Sequence, residues 1–200
     1  MAAAVAIIDS GGANIASLLF AFERLGVTAE LSADARRIRR AARVVLPGVG
    51  AARDAMRRLE DRGLTAMVRE LTQPVLGICL GMQLLGQSSE EDGVDCLGVL
   101  PGTARRLLAR PGAPVPNMGW CPVRPRNGHA LLDGIDDGAW FYFLHSYALP
   151  VDDLTVATAT HGDAFAAMVA RDNFFAAQFH PERSARSGAR LLRNFLSWSP

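Results

Sequence analysis

The 200-residue sequence predicts an α/β fold: three layers, a mostly parallel sheet with helices on both faces, and antiparallel additions in the C-terminal half. Three observations predict it. The first half alternates short continuous apolar runs with amphipathic stretches, the pattern of strands buried on both faces and joined by crossover helices. The second half changes texture to closely spaced strand candidates separated by turns. The composition is that of a globular protein, 50% hydrophobic and 20% charged. A chain of this length buries roughly 70% of its unfolded surface, so it needs no disulfide or metal staple.

Taken in order, Val5–Ile8 is an apolar run ending at Asp9 and the turn Ser10-Gly11-Gly12-Ala13. Asn14 is placed to cap a helix whose stripe is Ile15, Leu18, Leu19, Phe22 and Leu25, and Gly26 closes it. Thr28–Leu31 reads as a second strand. Arg36, Arg37, Arg39, Arg40 and Arg43 then read as the solvated face of a short helix with Ile38 and Ala42 inward. Val44–Leu46 is a third strand broken by Pro47-Gly48, and a helical stretch from Ala52 to Thr72 is interrupted near Gly63. Pro74–Ile78 is a buried strand leading into a helix from Leu80 to about Gly86. Such strand–helix alternation implies right-handed crossovers and a flavodoxin-like parallel sheet.

In the second half the strand candidates are Leu97–Leu100, Ala104–Leu108, Cys121–Val123, Trp140–Leu144, Leu154–Thr158, Ala164–Val169 and Phe174–Phe179. A last helix, about Arg186 to Trp198, carries the stripe Leu191, Leu192, Phe195 and Trp198. No repeat, linker or low-complexity segment divides the chain, which reads as one domain over residues 1–200.

Several chemistries are excluded. All 21 basic residues are Arg, and without a single Lys there is no Schiff base, pyridoxal phosphate attachment, phosphate-loop lysine or lysine base. Net charge is +1 with the arginines spread along the chain and no aromatics among them, which gives no case for nucleic acid. Cys79, Cys96 and Cys121 are odd in number and form no CxxC pair, which disfavours a disulfide framework and zinc. The apolar start is too short to span a membrane, so the expectation is a cytoplasmic protein with no metal or cofactor.

The sharpest local signal is Gly77-Ile78-Cys79-Leu80-Gly81, where a buried strand turns into a helix. A nucleophile at such an elbow stands above the carboxyl edge of the sheet, and small neighbours are needed because the turn is tight. The positive end of the helix favours a thiolate, and the N–H of Leu80 is available to an oxyanion. The pentapeptide is short, however, and a small buried cysteine at a strand end carries the same letters. Phe179-His180-Pro181-Glu182, after the last strand, adds a base and a carboxylate to orient it. His129 and His161 lie in turn-like polar sequence and read as solvent-exposed. His145, ending an aromatic strand at the same sheet edge, reads as a satisfied core histidine. Pro47-Gly48-Val49-Gly50 follows another strand; flanking glycines suit a second oxyanion N–H, although taken alone this is an ordinary strand-to-helix turn.

Together, PGVG at 47–50, GICLGMQ at 77–83 and FHPE at 179–182 resemble the triad-type (class I) glutamine amidotransferases in order and spacing over nearly the whole chain. The resemblance implies Cys79 as nucleophile, His180 as acid and base, and Glu182 as its orienting carboxylate. It implies Val49 and Leu80 as oxyanion-hole backbone, and Gly48, Gly50, Gln83, Ser146 and Tyr147 as the glutamine pocket. The segments DSGGAN at 9–14, PNMGW at 116–120 and LHSY at 144–147 are similar to the glutaminase subunits of imidazole glycerol phosphate synthases, which work in histidine biosynthesis. In that family the partner is a (β/α)8-barrel cyclase that receives the ammonia as one half of a heterodimer. The resemblance implies that Asn14, Met118, Trp120, Tyr142 and Arg183 face it. The family usually has His at the position of Asn117, Asn at Cys121 and Lys at Arg183. Trp120 reads as a docking anchor on a loop, with a core tryptophan under a turn as the alternative.

The other readings are an amidotransferase subunit for anthranilate, aminodeoxychorismate or pyridoxal phosphate synthesis, and a non-catalytic regulatory subunit. The PNMGW and DSGGAN segments disfavour the former, and an intact Cys79, His180 and Glu182 set disfavours the latter.

Overall fold

The computed structural model describes residues 4–10, 15–126 and 128–198. The Asn14 cap and interface position therefore lie outside the described residues. The chain runs β1 (Val5–Ile8), α1 (Ile15–Arg24), β2 (Ala29–Ser32), α2 (Ala35–Arg40), β3 (Arg43–Leu46), α3 (Ala52–Asp61), α4 (Leu64–Arg69), β4 (Val75–Ile78) and α5 (Leu80–Leu85). The C-terminal half adds the short strands β5 (Ser88–Ser89) and β6 (Val94–Asp95), then β7 (Thr103–Arg106), β8 (Asn117–Pro125), β9 (Ala139–His145) and β10 (Tyr147–Ala148). β11 (Thr155–His161), β12 (Asp163–Arg171), β13 (Phe174–Ala177) and α6 (Ala185–Ser197) complete it.

Among the described residues a nine-stranded sheet has the order β2-β1-β3-β4-β13-β12-β11-β8-β9. The pairs from β2 to β13 are parallel. Those from β13 onward are antiparallel. Counting parallel strands alone, the order is that of a flavodoxin-like sheet. Alternate side chains of each strand enter opposite layers, as period 2 requires. Val5, Ile7, Leu76 and Phe175 join Phe22 of α1 and Leu191, Leu192 and Phe195 of α6 on one face. Ala6, Ile8, Val75 and Phe174 join Ile38, Leu59, Leu64 and Met82 of α2–α5 on the other.

Four expectations are corrected. Leu97–Leu100 is not a strand: its backbone N–H groups at Leu97, Gly98 and Leu100 donate to Leu84, Gly86 and Leu85, so it caps the end of α5. The candidate Ala104–Leu108 forms β7 at Thr103–Arg106 and does not extend the main sheet but joins a second sheet ordered β10-β7-β5-β6. In the arginine-rich segment Ala41, not Ala42, is buried, because α2 ends at Arg40 and the chain turns into β3. Arg43 leaves that solvated face and grips the carbonyls of Phe195 at 2.7 Å and Trp198 at 2.6 Å. Fourth, Trp120 is on strand β8 rather than a loop, and is 47% exposed.

The edge pair β8–β9 matters most for the site. β8 meets β11 only at Arg124 and Pro125, whereas Asn117 to Val123 pair with β9 alone. The ribbon leaves the sheet and passes over the carboxyl ends of the parallel strands. Among the described residues no helix is long and apolar enough to cross a membrane.

Candidate active site

Three neighbouring parallel strands, β3, β4 and β13, end at one edge and deliver Val49, Cys79 and His180 to the same crevice. Open α/β sheets place ligands at this carboxyl edge. Cys79 has φ 54° and ψ −113°, a strained position for a residue with a side chain. It is held there by its N–H donating to Ala177 of β13 at 2.8 Å and by α5 starting at the next residue. The tight turn explains its glycines. A Cβ on Gly81 would stand 1.9 Å from the Leu46 carbonyl, and one on Gly48 would stand 2.8 Å from Leu80 Cβ. That close approach sets the 47–50 loop against the first turn of α5, whose leading N–H groups have no partner inside the helix. Gly50 is needed for another reason, its φ of +87°.

His180 Nδ1 lies 2.9 Å from Glu182 Oε1, both side chains nearly buried. The other ring nitrogen is thereby left for Cys79. Burial alone pulls the His180 pKa down, but hydrogen bonds and charge at Cys79 and Glu182 outweigh it and push it up to about 10. A base so placed holds its proton firmly as long as both partners face it. Among the described residues Glu182 Oε2 is buried without a hydrogen-bond partner.

These groups line a cavity of about 530 Å³, a volume suited to a small amino acid. Every sequence-predicted catalytic, oxyanion and pocket residue borders it: Cys79, His180, Glu182, Val49, Leu80, Gly48, Gly50, Gln83, Ser146 and Tyr147. Of the expected interface residues Arg183 also borders it, while Met118, Trp120 and Tyr142 lie on the β8–β9 ribbon. Met118 is exposed, and Arg183 lies over the Tyr142 ring at 4.3 Å. Trp120 meets that ring edge-on at 6.1 Å.

His145 is a satisfied core histidine, with Nδ1 2.9 Å from the Tyr147 carbonyl and Nε2 3.0 Å from Asn117 Nδ2. Burial brings its pKa down to about 4. A neutral ring then donates from Nδ1 and accepts at Nε2. His129 and His161 are half-buried, not solvent-exposed. His129 accepts from the Leu131 N–H and sits edge-on to Phe175, while His161 contacts the Pro114 carbonyl.

Two residues were missed. Glu91 borders the cavity and its carboxylate accepts from the N–H of Ala52, capping α3 at 2.8 Å. Nothing in Ser88-Ser89-Glu90-Glu91-Asp92 distinguishes it from a solvated turn. Gln178, fully buried beside Cys79, carried a signal: an amide between apolar residues in a buried strand must find partners.

A family model described as glutamine amidotransferase class-I matches residues 6–198. The imidazole glycerol phosphate synthase subunit HisH of Pectobacterium atrosepticum is 51% identical over 193 residues, 96% of this chain and 98% of that protein. The chain belongs to the class-I glutamine amidotransferases. The HisH subunit of Xanthomonas axonopodis pv. citri is 53% identical over 195 residues, covering 98% of each chain, so within the class this chain belongs with the HisH subunits. In fold it resembles a solved glutamine amidotransferase with TM-score 0.73 at 20% identity, over 96% of this chain and 97% of that one. The structure of PurLQS from Thermotoga maritima is similar too, with TM-score 0.69 at 17% identity over 98% of each chain.

Proposed function

We propose that the whole chain is one amidotransferase domain that hydrolyses glutamine through a Cys79 thioester and hands the ammonia to a barrel cyclase of histidine biosynthesis. The observation that carries this reading is the convergence of Cys79, His180 and Glu182 beside the first N–H of α5. The Cys79 sulfur, its proton resting on His180, attacks the carboxamide carbon. The oxyanion that forms is met by the N–H of Leu80 and by that of Val49 when the 48–49 peptide is turned inward. His180 returns the proton to the leaving nitrogen, ammonia departs, and a γ-glutamyl thioester remains. Water, deprotonated by His180, then adds to the thioester; glutamate leaves and the thiolate is restored. Glu182 keeps the imidazole oriented through both steps.

Substrate recognition follows from donor and acceptor counting. Both N–H groups of the Gln83 amide are engaged, by the Tyr147 carbonyl at 2.8 Å and Gln178 Oε1 at 3.1 Å. Gln83 therefore offers its oxygen to a substrate N–H. Glu91 supplies the carboxylate that an α-ammonium group needs, and Ser146 and Tyr147 border the opposite wall.

The partner docks on the ribbon face, where Met118, Trp120, Tyr142 and Arg183 gather. A turn of the 48–49 peptide, flanked by Gly48 and Gly50, couples docking to the oxyanion hole. The test mixes the chain with the cyclase barrel and measures glutamate release with and without the cyclase's nucleotide substrate. Release that rises on adding both and vanishes in Cys79→Ala is the expected result. Equal release by the isolated chain contradicts the coupling, and stimulation by a different acceptor enzyme contradicts the assignment to histidine biosynthesis.

A further inference from the structure

The Cys79 sulfur has a neighbour on each side that the reaction above leaves unused. The Leu144 carbonyl accepts from it at 3.5 Å, and Gln178 Nε2 stands 3.8 Å away. Gln178 has no exposed surface and does not border the cavity, so substrate does not touch it. A wholly buried amide needs partners at both ends. Its oxygen accepts from Gln83 Nε2, and its backbone N–H donates to Ala167 at 2.9 Å. Because the Gln83 nitrogen can only donate, the Gln178 oxygen must face it, which turns the Gln178 nitrogen to the sulfur.

The anchor is itself held. The Tyr147 carbonyl that receives Gln83 also receives His145 Nδ1–H, and His145 Nε2 accepts from Asn117, whose Oδ1 takes the Cys121 thiol at 3.5 Å. Polar groups satisfied in series within a core fix one another's orientation.

We propose that Gln178 is a positioning residue for Cys79, its amide donating to the sulfur so as to favour the thiolate and aim it at the cavity. The idea rests on Cys79 being the nucleophile. An N–H donor stabilises the charged sulfur, whereas the Leu144 carbonyl stabilises the thiol. The balance between them sets how readily the sulfur gives up its proton.

The test is the pH midpoint of Cys79 alkylation by iodoacetamide in the full chain, read from the mass of the peptide carrying Cys79. Gln178→Met keeps the side-chain length and removes the amide. Its midpoint should rise by about half to one unit, and glutaminase kcat in the cyclase complex should fall about three- to tenfold with KM within about twofold. Gln178→Glu keeps an acceptor for Gln83 but puts a carboxylate oxygen where the donor was, and should raise the midpoint at least as far. Should Gln178→Met lose its cooperative melt, Gln83→Met releases the same anchor and should raise the midpoint less. An unchanged midpoint in the variants that fold overturns the proposal. Cys79→Ala separates it from the parent reading: loss of glutaminase there with unmoved midpoints sinks only Gln178, and retained glutaminase sinks the nucleophile itself.

Discussion

The backbone N–H of His180 donates to the carbonyl of Tyr142 at 2.9 Å. Ser184 Oγ completes the clamp, donating to the His180 carbonyl at 2.6 Å and accepting from the Tyr142 N–H at 2.9 Å. Two residues further along β9, the Leu144 carbonyl reaches the Cys79 sulfur. One strand of the ribbon thus touches the segments of both His180 and Cys79, while its outward side chains belong to the proposed docking face. Displacing β9 by a partner must be felt at His180 and Cys79.

The Tyr142 ring is the platform on which Arg183 and Trp120 rest. Tyr142→Ala keeps the backbone clamp but removes that platform. Calorimetric titration with the cyclase should show affinity about tenfold or more weaker, the loss of an aromatic anchor. Arg183→Lys keeps the charge without the planar fork and should fall between wild type and Arg183→Ala. Unchanged affinity in Tyr142→Ala would move the docking face elsewhere.

At the elbow, Gly81→Ala drives a Cβ into the Leu46 carbonyl, which is backbone and cannot swing aside. It should cost about 3 kcal/mol or more, or prevent folding. Gly50→Ala meets nothing within 4 Å among the described residues and bears the strain of its positive φ, about 1–2 kcal/mol. Thermal melts should rank them in that order; the reverse ranking would mean that α5 is not wedged against β3.

The cysteines should separate by reactivity. Burial and the neighbouring Asp95 charge push the Cys96 thiol up to about 11, and burial also raises Cys121. Cys79 borders the cavity beside His180. Substoichiometric iodoacetamide at neutral pH should label Cys79 first, as peptide masses will report. Prior labelling of Cys96 would contradict the burial that holds α5 to its following loop.

His145 makes stability pH-dependent with a definite sign. Its folded pKa of about 4 lies below the ordinary 6.5, so the unfolded chain binds the proton more readily. Its contribution is lost as pH falls from 6.5 towards 4, on the order of 3 kcal/mol in all. His180, raised to about 10, acts oppositely: its contribution is complete below 6.5 and lost as pH rises through 10. Urea titrations of His145→Gln, which retains a donor and an acceptor, should be flatter than wild type below pH 6.5. An equal slope would place the acid sensitivity elsewhere.

Much of this architecture is legible in the sequence because parallel strands buried on both faces are continuous apolar runs, and Gly48 and Gly81 mark where backbones touch. The elbow Cys79 and the pair His180 and Glu182 are close in sequence to strand ends, so topology alone unites them. The second sheet was illegible: β5, β6 and β10 are two residues each and carry no period. Glu91 is missed and Arg43 misread as a solvent-facing charge because their partners, the Ala52 N–H and the Phe195 and Trp198 carbonyls, are set by packing. The absence of lysine acquires a physical consequence there, since one guanidinium bridges two carbonyls at fixed spacing.

The central claim is that Cys79 carries the glutamyl group. Acid-quenching the chain during glutamine turnover in the cyclase complex, then weighing its peptides, tests this most directly. The peptide containing Cys79 should gain one glutamyl acyl group, and Cys79→Ala should show neither adduct nor turnover. Turnover persisting in Cys79→Ala, or an acyl group found on Cys96 or Cys121 instead, would contradict it.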